Sequence, residues 1–223
     1  MSDIRKCFTS RWRQGALLEV DYSQLEVVAL ATLTEDTQLI ADLLSGTDMH
    51  RLRASKWLKK DPKDITDDER FNAKRLSFML QYGSGAGNMA IQLKLPKAEC
   101  KAFIEAFYSR YPQVKNWQDV IEDEVTASRV RHGHTKSGLP RGIGKYKSIS
   151  GRAYTFYEYD HPFKEGEVGF SPTEMKNYPC QGFATGDIMK IALGNLNQAF
   201  WKNRDVLLIN TVHDSMMLDI NST

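Results

Sequence analysis

Cysteine is scarce in this chain: three in 223 residues, Cys7, Cys100 and Cys180, an odd number with no paired spacing. That excludes a disulfide framework and a thiolate zinc site, and reduced, buried thiols are expected. No run of about 18 apolar residues occurs, so no membrane span is expected. Met1–Lys6 lacks the apolar core of a signal peptide, which points to an intracellular, cytoplasmic setting. Charge of one sign is lacking too. A net charge of +2 argues nothing about nucleic acid by itself, so a basic surface must come from local clusters. Gly83-Ser84-Gly85-Ala86-Gly87 has no Lys-Ser/Thr ending and no preceding strand, and reads as a helix terminator and flexible joint rather than a phosphate-binding loop. His132-Gly133-His134 has no thiol or acidic partner nearby to complete a metal site. There is no internal repeat and no low-complexity tract.

What is present is ordinary for a soluble globular protein of one or two domains: 41% hydrophobic and 26% charged residues. Leu17, Leu18 and Val20 suit a short buried strand, and Asp21-Tyr22-Ser23-Gln24 breaks the apolar run. Residues 27–45 read as a helical segment closed by Gly46, and Asp48 can cap the next helix. Residues 61–68 form a charged loop, and Glu69–Tyr82 is helical, without Gly or Pro. Two amphipathic helices, 96–111 and 112–131, break at Tyr111-Pro112. Residues 132–147 are basic and Gly-rich, a loop or hairpin; 151–160 look like strands, and 162–172 is turn-rich. A long helix opens at Asn177 and runs to about Asn203. Val206–Val212, the turn His213-Asp214 and the run Met216–Ile220 read as a hairpin.

An aspartate after a strand is most often just a turn residue. With the first hairpin strand beside residues 17–20 in one sheet, however, Asp21 and Asp214 emerge at the same edge. Two aspartates share a small volume cheaply only when cations neutralise them, which is what two-metal phosphoryl transfer requires. Arg70, Lys74, Phe78 and Tyr82 recur every fourth residue on one helix face, drifting roughly 40° per step. Two cations followed by two aromatics match a nucleotide, triphosphate against charge and base against rings; a solvated basic end with a buried aromatic end is the ordinary alternative.

Asp21-Tyr22-Ser23-Gln24-Leu25-Glu26 resembles the first palm motif of the DNA polymerase I family (family A). Residues 70–83, RFNAKRLSFMLQYG, resemble that family's nucleotide-binding fingers helix, and Val212-His213-Asp214 resembles its last catalytic motif. The resemblance runs over nearly the whole chain and is weakest around 148–169. It implies an α+β fold: a partial antiparallel palm sheet carrying Asp21 and Asp214, with a mostly helical fingers unit inserted. The implied boundaries are 1–45 palm, 46–176 fingers and 177–223 palm. It also implies template-directed DNA synthesis with two Mg²⁺ ions held by Asp21, Asp214 and the backbone carbonyl of Tyr22. Arg70 and Lys74 take the triphosphate, Phe78 the sugar and base, Tyr82 the incoming base-pair site, and Gln24 and His50 lie near the phosphates. Glu26 fills the space of a ribose 2′-hydroxyl and so selects dNTPs. Asn177, Gln181 and His213 face the primer-template DNA. Arg141 lies in a basic stretch, 131–147, that is a candidate phosphate-contacting surface.

Ser215 departs from the family, most of which has Glu there. Phe78, in place of Tyr, implies discrimination against dideoxynucleotides. The thumb and exonuclease-like domains of the family have no counterpart in these residues, so a polymerase split between chains or cut short is expected, with a separately encoded chain supplying the thumb. Compact fingers and the wording of 176–179 look like bacteriophage members, which would place the protein in the host cell cytoplasm. Two rivals stand: a non-catalytic palm–fingers remnant that binds DNA or a partner, and a single-subunit RNA polymerase. Glu26 and Phe78 argue against the second.

Overall fold

The structure, a computed structural model, describes residues 7–162 and 164–222. In chain order these form β1 (Gly15–Asp21), α1 (Leu25–Thr34), α2 (Thr37–Leu44), α3 (Met49–Leu58), α4 (Asp67–Gln81), α5 (Ala86–Leu93), α6 (Lys97–Arg110) and α7 (Pro112–Ala127). Then follow β2 (Val130–His134), β3 (Pro140–Lys147), β4 (Ala153–Asp160), β5 (Val168–Phe170), α8 (Pro172–Gln181), a π-helical stretch Gly182–Ile188, α9 (Met189–Phe200), β6 (Val206–Val212) and β7 (Ser215–Asn221). Two compact units result: residues 7–27 with 181–222, and residues 28–180.

The first unit is built on an antiparallel sheet of order β1-β7-β6. The second hairpin strand, not the first as expected from the sequence, lies beside β1, paired from Gly15↔Asn221 to Asp21↔Ser215. The physical reason is burial. β7 hides residues on both faces, Ser215, Met216, Leu218 and Asp219, which suits the middle of a three-stranded sheet. β1 is correspondingly an edge strand, and the expectation of a buried Leu17–Val20 run is corrected: Leu18 is 44% and Val20 43% exposed.

In the second unit, residues 27–45 are two helices rather than one. Asp36 breaks them: its side chain accepts from the Leu39 amide as N-cap and from the Gln113 amide at 3.0 Å. Asp42 accepts two hydrogen bonds from Arg110, at 2.7 and 2.6 Å, and one from the Tyr111 hydroxyl at 2.7 Å. These bonds tie α2 to α6 and α7, within the compact unit of residues 28–180. α3 starts at Asp48, which accepts from the His50 and Arg51 amides. α4 starts in a capping box of Thr66 and Glu69. Ser171 and Pro172 open α8 five residues before the expected start, with Pro179 inside it.

The basic stretch is a hairpin, β2–β3, in a four-stranded sheet of order β2-β3-β4-β5. Phe156 joins Ile121, Val125 and Met175 in a core under one face of that sheet. At Gly144 a Cβ would come 2.3 Å from the Val125 carbonyl oxygen, so α7 packs directly on the β3 backbone. Cys100 and Cys180 are buried as expected, whereas Cys7 is exposed. No helix among the described residues is long and apolar enough to cross a membrane.

Candidate active site

The end of the first sheet holds the sequence's two candidate carboxylates. Asp21 is the last residue of β1, and the Tyr22 amide donates to the Asp214 carbonyl at 3.1 Å. His213 takes φ +54°, the left-handed conformation a tight hairpin turn uses at its first central residue. This turn puts Asp214 in the chain position next to β7's first residue, which pairs with Asp21. Asp21, the Tyr22 carbonyl and Asp214 are therefore neighbours, and Asp21 and His213 are exposed. Gln24, also at positive φ (57°), turns the chain into α1, and Glu26 is half-buried in that helix's first turn.

This donor set consists of hard oxygens only. Among the described residues no group of three or more His, Cys, Asp or Glu forms a ready-made metal cage. Two carboxylates without a cage fit Mg²⁺, which keeps several waters and is completed by substrate phosphates, better than Zn²⁺ or Ca²⁺. At Ser215, where a further carboxylate is absent, the hydroxyl lies 3.2 Å from Glu19 Oε1. Glu19 lies two residues before Asp21 on the same strand face. Sequence reading overlooked it; its period-two spacing from Asp21 was the available signal.

The second unit assembles the nucleotide-type face. Phe78 and Tyr82 stack with centroids 6.4 Å apart, and Lys74 Nζ lies 6.0 Å from the Phe78 centroid. Arg70 forms an ion pair with the α3 cap Asp48, which orients its guanidinium. Asp48 is drawn up by burial, but its hydrogen bonds to Arg70 and the Arg51 amide hold it below the usual carboxylate range. His50 packs on Phe78, centroids 5.9 Å apart. Burial first, then the Arg53 charge, push His50 down to about 4, with Asp48 opposing and Lys74 and Arg70 adding to the fall.

His50 is therefore neutral at physiological pH. Its folded value lies below the ordinary 6.5, so between 6.5 and about 4 the folded chain binds fewer protons than the unfolded one. Its contribution to stability is intact above that window and falls as pH drops through it. In an NMR titration the His50 ring resonance should hold its neutral position down to about pH 5.5. A midpoint near 6.5 would contradict this burial.

Gly83 is not simply a flexible joint. It takes φ +75°, and a Cβ there would lie 2.8 Å from Thr173 Cα and 2.9 Å from the Pro172 carbonyl oxygen. The end of α4 is thus pressed against the start of α8, and only glycine fits both the dihedral and the space. Asn177 and Gln181 lie four apart on α8. Arg141, on β3, places its guanidinium 5.0 Å from the centroid of Tyr157. Sequence reading expected strands over 151–160 but not that alternation splits β4 into a core face, Phe156 and Glu158, and an outer one bearing Tyr157.

An antiparallel sheet assembled from both ends of the chain, with a mostly helical unit inserted between them, is the palm-and-fingers architecture of nucleic-acid polymerases. It is similar to the solved structure described as the "POL domain of Pol1 from M. smegmatis complex with DNA primer-template and dNTP", with a TM-score of 0.74 and 25% identity over 96% of this chain and 35% of that one. The profile of DNA polymerase family A matches residues 1–223, and the chain belongs to that family. It is 30% identical over 217 residues to DNA polymerase I of Helicobacter pylori strain J99, covering 97% of this chain and 22% of the relative. It is 32% identical over 220 residues to DNA polymerase I of Lactococcus lactis subsp. lactis, covering 97% of this chain and 23% of the relative. With mouse DNA polymerase theta it shares 29% over 204 residues, 91% of this chain and 7% of the relative. The chain thus spans less than a quarter of the length of these curated relatives.

Proposed function

We propose that this chain is the palm-and-fingers portion of a DNA-directed DNA polymerase, extending a primer 3′-hydroxyl with dNTPs. The observation that carries the reading is the pairing of Asp21 with Ser215 and of the Tyr22 amide with the Asp214 carbonyl, which makes two aspartates neighbours at one sheet end. The primer 3′-oxygen bonds to the α-phosphorus, the α–β bridging bond breaks, and pyrophosphate leaves as the hydroxyl proton passes to solvent. Asp21, Asp214 and the Tyr22 carbonyl would hold two Mg²⁺ ions, which when bound lower the cost of the 3′-oxyanion and of the leaving pyrophosphate.

Lys74 and Arg70 take the triphosphate charge; the Asp48 contact keeps Arg70 Nε occupied while its terminal N–H groups bind. Neutral His50 and Gln24 donate to phosphate oxygens, Phe78 and Tyr82 present ring faces to sugar and base, and Glu26 excludes a 2′-hydroxyl. Asn177, Gln181, His213 and Arg141 contact primer-template backbone and minor groove, reading duplex shape more than sequence. Grip on the duplex comes from polypeptide outside these 223 residues, on the same or a separate chain.

The test is primer extension with Mg²⁺ and dNTPs on a primed template, with and without a thumb-bearing segment of a family A relative. Extension in either tube supports the reading; none in both, with primer-template binding retained, would favour a non-catalytic DNA-binding module. Within an active preparation, wild type should discriminate against dideoxynucleotides and Phe78→Tyr should relax that by about tenfold or more, since a hydroxyl replaces the hydrogen-bonding function of the missing 3′-OH. Equal terminator incorporation by both would remove Phe78 from this role.

A further inference from the structure

Beside Arg141, the outer face of the four-stranded sheet carries residues that the active-site reading does not use, Lys145, Lys147 and Tyr157. Register places Ile143 opposite Tyr157 and Lys145 opposite Thr155, so with period-two alternation Arg141, Lys145 and Lys147 share one face with Tyr157. The opposite face is the core side: Phe156 packs there, and Glu158 is buried in a two-bond pair with Arg129, at 2.6 and 2.7 Å. Both strand carboxylates, Glu158 and Asp160, therefore alternate away from the outer face. Tyr157 is 37% exposed there, with the His132 ring edge-on at 5.9 Å and the Arg141 guanidinium stacked against it.

None of Arg141, Lys145 and Lys147 is paired with a carboxylate among the described residues, and Arg141 Nε is buried with no hydrogen-bond partner there. The platform is stiff, because the inner face lies directly on α7 at Gly144. Unpaired cations flanking an exposed aromatic, on a rigid sheet face, are what single-stranded nucleic acid binds: phosphates against the charges, unstacked bases on the ring. A duplex offers no free base face to Tyr157, and a folded protein partner would need acidic groups matched to three separate cations.

We propose that this face is a docking platform for single-stranded DNA, with Tyr157 as the base-stacking residue and Arg141, Lys145 and Lys147 as phosphate contacts. The choice of DNA rests on the polymerase reading, in which a template must present an unpaired strand; the preference for a single strand rests on the face itself.

The experiment is equilibrium binding of a fluorescein-labelled oligothymidylate of about 16 nucleotides to the 223-residue chain, without primer or dNTPs. Tyr157→Ala should weaken binding roughly tenfold or more, and Tyr157→Phe should restore it, because the ring and not the hydroxyl stacks. Lys145→Ala with Lys147→Ala should lower the slope of log affinity against log salt by about 1.4, two released single-strand counterions. Unchanged thermal melting of these variants shows that the fold is intact. Binding insensitive to Tyr157 would overturn the proposal, as would a blunt duplex competing equally and with the same dependence on Tyr157. Primer extension by the same wild-type preparation separates the two readings. Extension with Tyr157-insensitive oligonucleotide binding sinks the platform alone. Tyr157-dependent binding in a chain that extends no primer either alone or with the thumb-bearing segment keeps the platform and sinks the polymerase.

Discussion

Replacing Asp214 by alanine should lower primer extension by about a thousandfold or more while changing the melting temperature little. Metal-borne stabilisation of the transition state is worth several kcal/mol, and each ~1.36 kcal/mol is tenfold in rate. The fold should tolerate the change because the hydrogen bond at this turn uses the Asp214 backbone carbonyl, which alanine retains. Removing one of two neighbouring carboxylates also relieves like-charge repulsion when no cation is bound. Mn²⁺ binding followed by electron paramagnetic resonance gives a readout apart from turnover, and its affinity should fall in the same variant. Full extension by Asp214→Ala would mean that the sheet end is not the catalytic centre, whatever the family resemblance.

The largest stability effect should come from Asp42. It is buried, and burial alone would push its carboxyl up; hydrogen bonds from Arg110, Tyr111 and Gln38, with the Arg110 charge, overcome this and hold it below the ordinary 3.8. Asp42→Ala strands the Arg110 guanidinium and the Tyr111 hydroxyl, a loss of about 3–5 kcal/mol for breaking one side of a buried pair. At about 2–4 °C per kcal/mol for a chain of this size, melting should drop by roughly 6–20 °C. The double variant Asp42→Ala with Arg110→Met should be less destabilised than Asp42→Ala alone, because no buried charge is left over. If the single and double variants melt together, the pair is not coupled as its geometry implies. The lowered carboxyl also sets a sign for pH: this stabilisation is present above the ordinary value and is lost as pH falls through the lower folded one.

Much of this protein is legible locally. Asp48 and the Tyr111-Pro112 break mark helix ends locally, and both helix ends form at these residues; the Thr66–Glu69 capping box, which starts α4 two residues before the expected Glu69, is equally local but was not read. The cation–aromatic face of α4 is likewise a product of helical spacing alone, so the residue order suffices to group Arg70, Lys74, Phe78 and Tyr82. The two aspartates could be named from motif and strand pattern.

Their adjacency could not be derived with the correct pairing, because strand order depends on which strand buries both faces. β7 does so, and neither the apolar run of β1 nor that of β6 reveals its sheet position. The split at Glu35-Asp36 combines a local cap, the Leu39 amide on Asp36, with a hydrogen bond from the Gln113 amide, 77 residues away. Glycine at position 83 is required by Pro172 and Thr173, and Tyr157 acquires its partners from β2 and β3. Sequence by itself determined most of the elements, the Asp48 cap and the chemistry of each candidate residue, since those depend on neighbours along the chain. Tertiary structure alone decided strand order, the buried Asp42 network and which face of the four-stranded sheet is open, since each depends on contacts between residues far apart in sequence.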